Sequence, residues 1–564
     1  MERENLVVNA PSGFGKTVAT LYAIVSAGSL KILWFTRTHR EAERVIDEAK
    51  AISMRGRQIT AISIQSRASL CPMAQGLTPE EAAVLCRERR AQCPFYKGFL
   101  TSFSVPPKPI ISAGELYSHY VKLSVCPYYA QLSLCNAVDI VAASFSFLAN
   151  PFAMKVLGFN HDTVVVLDEA HGLPETLTLH RSAELSLKGV HHALEEAKSI
   201  NLGSAVESFI EELASIVQSL EGVFSPEELC RDLQKFTKYS VHVITESMVY
   251  WGDILRGEAI RRGERPRSSL YHLGVFLTKL LNADERYVVV GSDGKLRLAC
   301  LDAKLLLPKV RSVILMSGTI DLSLANELGL QASLLDLSRY VNYQSRVFIL
   351  CDVTSRFEER GPEVYESYAR YIKLLSNSLP INMAVFFPSY EVLRSVSAKL
   401  TELKRPLFIE EESMSSLEHE ELLRSFKERG DKGGALYLGV CGGRASEGVD
   451  FPGRELDLVF IAGVPFDEPS PLIEAKISYY AERKGEEGFY LAYIAPAIRK
   501  VIQAAGRAFR GPEDVGVVVL GDKRFKKLTK FLPPWLSRAI DVEWRNRSLM
   551  LAETAKFLGV GLEL

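Results

Sequence analysis

The sequence lacks any apolar run approaching about 18 residues, the length that crosses a bilayer, and it lacks the charged, apolar and small-residue pattern of a signal peptide. The expectation is a cytoplasmic chain with no membrane partner. Net charge is nearly absent as well: 67 Lys and Arg stand against 68 Asp and Glu, for a formal charge of −1. A uniformly basic surface is excluded, so any nucleic-acid contact must come from local grooves. The nine cysteines are an odd number and include no Cys-x-x-Cys pair, the hook of a zinc ribbon. A cytoplasmic setting argues against a disulfide framework. What is present is 564 residues, 47% hydrophobic and 24% charged, enough for three or four domains with sizeable cores.

The strand-like Leu6-Val7-Val8 runs into Asn9-Ala10-Pro11-Ser12-Gly13-Phe14-Gly15-Lys16-Thr17. This reads as a phosphate-binding loop. Gly13 and Gly15 let backbone N–H groups converge on phosphate, Lys16 can reach the β- and γ-phosphates, and the Thr17 hydroxyl can bind Mg²⁺. The apolar stretch after it is expected to be helical, which puts phosphate at a helix N-terminus. The pattern's first glycine is replaced by Ala10. A second element, Val164-Val165-Val166-Leu167-Asp168-Glu169-Ala170-His171, is a buried-looking strand that delivers two carboxylates. Alone, Asp-Glu after a strand reads as a helix cap. Paired with the Lys16 loop, Asp168 becomes an Mg²⁺ ligand and Glu169 the group that orients or deprotonates water.

Ala-x-x-Gly-x-Gly-Lys-Thr with Asp-Glu-Ala-His resembles a superfamily 2 helicase, and the rest of the chain narrows the resemblance to XPD-like iron–sulfur helicases of archaeal type, from Leu6 to about Leu536. The resemblance implies an α/β fold: two RecA-like parallel-sheet motor domains, an inserted [4Fe-4S] cluster domain and a mainly helical arch domain. The expected boundaries are 1–61, 137–180 and 301–340 for the first motor domain, 62–136 for the cluster domain, 181–300 for the arch and 341–564 for the second motor domain. Thr36-Arg37-Thr38-His39, which follows the strand Lys31 to Phe35, matches the family's segment on single-stranded DNA; without the family it is ordinary loop punctuation.

The insertion carries Cys71, Cys86, Cys93, Cys126 and Cys135. Four thiolates hold an iron–sulfur cluster as readily as zinc, so spacing leaves the metal open. The resemblance implies that Cys71, Cys86, Cys93 and Cys126 are the [4Fe-4S] ligands, with Cys135 left for packing and Arg67 at the family's charged position beside the cluster. Helical periodicity marks Ala205 to Leu220 and Pro226 to Phe236 in the arch. Its cluster Arg256, Arg261, Arg262, Arg265 and Arg267, interrupted by acids, reads as a solvated loop with a phosphate-contacting edge as the alternative.

The strand Val313 to Met316 leads into Ser317-Gly318-Thr319, generic turn chemistry that in the family links hydrolysis to domain movement, together with His171. A second α/β unit begins near Ser345, with candidate strands Val347 to Leu350, Met383 to Phe387, Ala435 to Gly439, Leu456 to Ile461 and Val515 to Leu520. It has no phosphate loop of its own, which implies a nucleotide held between the two sheets. On a helix, Gln503, Arg507 and Arg510 share one face, and the two guanidinium groups would act as arginine fingers. By resemblance, Gly448 and Asp450 lie near nucleotide, and Ser389, Tyr390 and Arg444 contact DNA. The family's Arg-x-x-Gln segment, which reads adenine upstream of the phosphate loop, has no counterpart in the nine residues before Ala10. The expectation is either a start further upstream or lost base recognition.

The resulting reading is a monomeric ATP- and Mg²⁺-dependent 5′→3′ DNA helicase that acts on single-stranded and forked duplex DNA in repair. The alternatives are a DinG- or FancJ-type helicase on other DNA structures, and a DNA-stimulated translocase that does not unwind.

Overall fold

The computed structural model describes residues 4–11, 14–28, 31–340, 343–446, 451, 453–509 and 514–563. Two all-parallel sheets dominate it. The first has eight strands in the order Ala332–Asp336, Asn5–Asn9, Ser312–Ser317, Val164–Asp168, Ile32–Thr36, Ile140–Ser144, Ala61–Ser63 and Ile110–Ile111. Ile32–Thr36, Ile140–Ser144 and Val164–Asp168 are buried throughout. Strands covered on both faces read as unbroken apolar runs, which is why these were visible in the sequence. The second sheet has seven strands, ordered Leu407–Ile409, Ala435–Val440, Asn382–Phe387, Leu458–Ile461, Val515–Leu520, Gln344–Leu350 and Ile540–Val542.

The stretch 62–136 is not separate from the first sheet. Ala61–Ser63 pairs with Ile140–Ser144, and Ile110–Ile111 pairs with it in turn at the sheet edge. The helices Ala113–Lys122 and Pro127–Cys135 then bury Leu116, Tyr120, Ala130, Leu134 and Cys135 in the core that contains Val141 and Val165. Of the cysteines in this stretch, Cys135 serves that core, as expected for a packing residue.

Residues 181–300, the expected arch, hold five helices, Leu187–Ser199, Ser204–Ser219, Pro226–Lys235, Val241–Arg261 and Ser269–Leu281, around one core. They also contain a four-stranded antiparallel sheet, ordered Ala183–Ser186, Lys295–Cys300, Tyr287–Ser292 and Gly222–Phe224, which helical periodicity did not reveal. The arginine cluster is solvated only in part: Arg261, Arg262, Arg265 and Arg267 are exposed, whereas Arg256 is not. Arg256 is 4% exposed, stacks 3.8 Å from the Tyr271 ring centroid and pairs with Glu80 at 3.3 Å. Arg267 meets Glu81 at 2.5 Å, and Arg265 donates to the Gly76 carbonyl. These arginines bind the arch to the cysteine-bearing insertion, because acids at the start of the helix Pro79–Arg89 supply partners remote in sequence.

Candidate active site

The strand Asn5–Asn9 ends at the loop, and the helix Lys16–Ser26 begins directly after Gly15, whose φ of 75° suits glycine alone among common residues. Ala10, in place of the pattern's glycine, is fully buried and donates its N–H to the Ser317 carbonyl at 3.0 Å. The loop 317–319 lies so close that a Cβ at Gly318 would stand 3.3 Å from the Ala10 carbonyl oxygen. Ser12 and Gly13 lie outside the described residues. Pro11, Gly15, Lys16 and Thr17 all line one cleft of 1420 Å³ between the two sheets. Lys16 Nζ rests on the Pro11 carbonyl at 3.3 Å and 3.8 Å from Glu169 Oε1, and Thr17 Oγ1 donates to Asp168 Oδ2 at 3.3 Å.

Glu169 has φ 51°, the left-handed region that costs a non-glycine residue of order 1 kcal/mol or more and is found at functional sites. Its Oε2 accepts from Ser317 Oγ at 3.1 Å, and His171 Nδ1 lies 2.9 Å from the same Ser317 oxygen. Because Ser317 has one hydroxyl proton and gives it to the carboxylate, His171 Nδ1 is the donor to Ser317. Thr319 Oγ1 stands 3.3 Å from Ser317 and extends the chain of hydrogen bonds. Burial pushes the Asp168 carboxyl up to about 7, aided by the charge on Glu169. Glu169 goes the other way: although burial opposes it, Lys16, His171 and Ser317 hold its carboxyl well below the usual range. At neutral pH Glu169 is therefore ionised while Asp168 is about half protonated.

The opposite wall comes from the second sheet. Gln503 is buried near the end of the helix Ala495–Ala505, and Arg507 follows in a short turn, Gly506–Ala508, with its Nε on the Gln503 carbonyl at 3.3 Å. The α-helix on which Gln503 and Arg507 were expected to share a face stops before Arg507, which a tighter turn carries. Gln503 and Arg507 line the same cleft as Lys16 and Glu169. Arg510, Gly448 and Asp450 lie outside the described residues. A buried ion pair, Arg499 with Glu327 at 3.1 Å, ties this helix to the helix Leu322–Glu327 just after Thr319.

A family model described as DEAD_2 matches residues 34–190, and one described as Helicase C-terminal domain matches residues 372–539. The chain belongs to the XPD-like superfamily 2 helicases. It is 25% identical to the ATP-dependent DNA helicase XPD of Sulfolobus acidocaldarius over 93% of this chain and 94% of that one. It is 23% identical to the general transcription and DNA repair factor IIH helicase subunit XPD/RAD3 of Saccharomyces cerevisiae, over 98% and 88%. A solved structure titled XPD_Helicase superposes with a TM-score of 0.72, covering 96% of each chain at 21% identity, which shows a shared fold.

In this XPD-like chain the segment 36–39 is divided in use. Thr36 is buried and donates to the Thr38 carbonyl at 2.8 Å, so its side chain builds the turn and is not offered to a strand. Thr38 caps the helix His39–Met54 in a reciprocal box with Glu41. Arg37 and Thr38 are exposed and line the cleft, and Arg37 lies against Gly172, two residues beyond Ala170. Burial lowers the His39 pKa, which keeps the ring neutral at pH 7. Ser389 caps the helix Tyr390–Ser397, and Arg444 is an exposed residue of the cleft wall.

The four expected ligand cysteines sit at helix junctions of the XPD-like insertion. Cys71 follows the helix Arg67–Leu70, Cys86 lies in Pro79–Arg89, and Cys93 and Cys126 each precede a helix that starts with proline. They are electrostatic neighbours. Burial and then Cys86 and Cys93 raise the Cys71 thiol, and burial with Cys71 and Cys86 pushes Cys126 up to about 11. Among the described residues no three His, Cys, Asp or Glu side chains stand close enough to hold a single metal ion. Four cysteines are a donor set of the chemistry that an iron–sulfur cluster takes, and Arg67 lies 4.4 Å over the ring of Tyr128, two residues beyond Cys126.

Several residues of consequence gave no signal in the sequence. Glu410, 2% exposed, accepts hydrogen bonds from Tyr390 and Tyr437 hydroxyls at 2.9 Å each, so the Tyr390 hydroxyl is committed inside the protein. Burial opposes its ionisation, but His419, Tyr390 and Tyr437 hold the carboxyl below its ordinary value. Asp336 ends the strand Ala332–Asp336 and Ser338 opens the short turn after it; both line the cleft.

Proposed function

We propose that the chain is an ATP-dependent helicase that translocates 5′→3′ on single-stranded DNA and separates duplex, as a monomer acting on forked substrates in DNA repair. The observation that carries the reading is the single cleft lined by Lys16, Thr17, Asp168 and Glu169 from one sheet and by Gln503 and Arg507 from the other. In this mechanism Lys16 leaves the Pro11 carbonyl for the β- and γ-phosphates. Thr17 and Asp168 would hold Mg²⁺, which supplies neutralising charge on the phosphates when bound. Glu169, fixed by Ser317 and Lys16, orients the attacking water and takes its proton. Arg507, with Arg510, stabilises charge that grows on the leaving phosphates. Loss of the γ-phosphate removes the ligand that joins the walls, and the His171–Ser317–Thr319 chain passes that change to the helix Leu322–Glu327 and its partner Arg499.

Arg37, Thr38, His39, Ser389, Tyr390 and Arg444 form the strand-contacting surface, with Tyr390 acting through its ring because its hydroxyl is held by Glu410. Cys71, Cys86, Cys93 and Cys126 would hold a [4Fe-4S] cluster, whose bonds supply folding free energy to an insertion with little core of its own. The modules follow the expected boundaries, with the cluster-bearing part sharing the core of the first sheet through the helices Ala113–Lys122 and Pro127–Cys135. The test is Lys16→Ala, which should abolish ATP hydrolysis while DNA binding stays within about twofold, since Lys16 faces phosphate and not the strand. Hydrolysis at the wild-type rate would overturn the assignment.

A further inference from the structure

The strand order decides which way a nucleotide lies. Asn5–Asn9, which feeds the phosphate loop, stands between Ser312–Ser317 on one side and Ala332–Asp336 on the other. Asp168 and Glu169 lie beyond Ser312–Ser317. A triphosphate whose terminal phosphate meets Lys16 and Glu169 therefore runs its sugar and base towards the side of Asp336. Tyr343 packs against Trp535 at 5.4 Å and Phe509 at 4.8 Å, and Tyr343 and Trp535 line the same cleft.

The Asp336 carboxylate is half committed. Its Oδ1 accepts from Asn9 Nδ2 at 3.1 Å, from the Ser338 N–H at 3.0 Å and from Ser338 Oγ at 2.6 Å. Among the described residues no hydrogen bond or ion pair reaches Oδ2, while the three donors on Oδ1 fix the rotation of the group. A carboxylate only accepts. Beside a triphosphate it meets repulsion from every phosphate oxygen, and the donors that a nucleotide offers are its sugar hydroxyls and its base amine. Asp336 ends the strand next to the phosphate loop, so the sugar is the first donor along the ligand.

We propose that Asp336 is a specificity-determining residue whose Oδ2 accepts a hydrogen bond from a ribose hydroxyl of the bound nucleoside triphosphate, with Asn9 and Ser338 as positioning residues. The proposal rests on the nucleotide reading of the cleft. A substrate cycle on the full chain tests it, with ATP and 2′,3′-dideoxy-ATP hydrolysed by the wild type, Asp336→Ala and Ser338→Ala. A hydrogen bond to a charged acceptor corresponds to roughly tenfold or more in affinity, so wild-type KM should be about tenfold lower for ATP than for the dideoxy analogue. Asp336→Ala should raise the KM for ATP to the dideoxy value and leave kcat for both, and KM for the analogue, within about twofold. Ser338→Ala should raise the KM for ATP by a smaller factor and spare the analogue.

Equal KM values in the wild type would overturn the proposal, as would an equal loss on both substrates in Asp336→Ala, the mark of a structural role. A penalty that instead follows the 6-amino group, read with purine riboside triphosphate, would place Asp336 on the base and also overturn it. Failure of the underlying reading looks different: the wild type would hydrolyse neither substrate.

Discussion

Asp168 is the residue for which the structure makes the sharpest quantitative statement. Burial, and then the charge of Glu169, hold its carboxyl near pH 7. A carboxylate must be ionised to take Mg²⁺, so magnesium-dependent nucleotide binding should expel the proton. With a pKa of about 7, the protonated fraction is about 0.9 at pH 6, about 0.5 at pH 7 and about 0.1 at pH 8. Calorimetric titration with Mg·ADP in two buffers of different ionisation enthalpy counts the protons released. Asp168→Asn serves as the reference, because it carries the nucleotide's own titration and not that of residue 168. The wild type should release about 0.9 proton more than the variant at pH 6 and about 0.1 more at pH 8. The same equilibrium should weaken wild-type affinity about tenfold from pH 8 to pH 6 relative to the variant, or about 1.4 kcal/mol. No difference in proton release at pH 6 would refute the reasoning, showing either an ionised Asp168 or one that the ion does not touch.

Arg507→Ala should lower kcat by about a hundredfold or more while nucleotide affinity changes little, as loss of a transition-state contact does; steady-state kinetics with equilibrium binding separates this from a pure affinity effect. Cys93→Ser should remove the broad absorbance near ~400 nm of anaerobically purified protein and abolish strand separation, yet keep DNA-stimulated hydrolysis; collapse of hydrolysis as well would show that the insertion supports the motor domain. Burial raises Asp457 to about 6, above its unfolded value, so the stability of the neutral form is present below about pH 4 and is lost as pH rises through 6, at a cost of roughly 3 kcal/mol by pH 7. Asp457→Asn should therefore match the wild-type Tm near pH 4 and exceed it by an amount that grows between about pH 4 and 6 and levels off above pH 7; a Tm difference independent of pH would contradict this.

Legibility in the sequence followed burial and locality. Val164–Asp168, Asn382–Phe387 and Val515–Leu520 are covered on both faces, so their apolar runs located both sheets. The Lys16 loop and the Asp168-Glu169 pair were visible because their chemistry is packed into contiguous residues. What stayed hidden depends on partners remote in the chain. Arg256 looks solvated until Glu80 and the Tyr271 ring are brought to it. Glu410 is an ordinary acid until Tyr390 and Tyr437 close on it. Ile110–Ile111 is too short for any alternation, and the short, partly exposed Ala183–Ser186 gave no clear one. Gln503 and Arg507 do line one cleft, but the end of the α-helix at Ala505 and the tighter turn that carries Arg507 were not legible in the spacing.

The central claim is that the Lys16 loop, Glu169 and Arg507 drive directional strand separation. Its most direct test is ATP-dependent strand displacement by the purified chain on two duplexes that differ only in whether the single-stranded tail is 5′ or 3′, with hydrolysis followed in the same samples. Displacement is expected from the 5′-tailed duplex, none from the 3′-tailed one, and loss of both displacement and hydrolysis in Lys16→Ala. DNA-stimulated hydrolysis with no displacement on either substrate would contradict that claim.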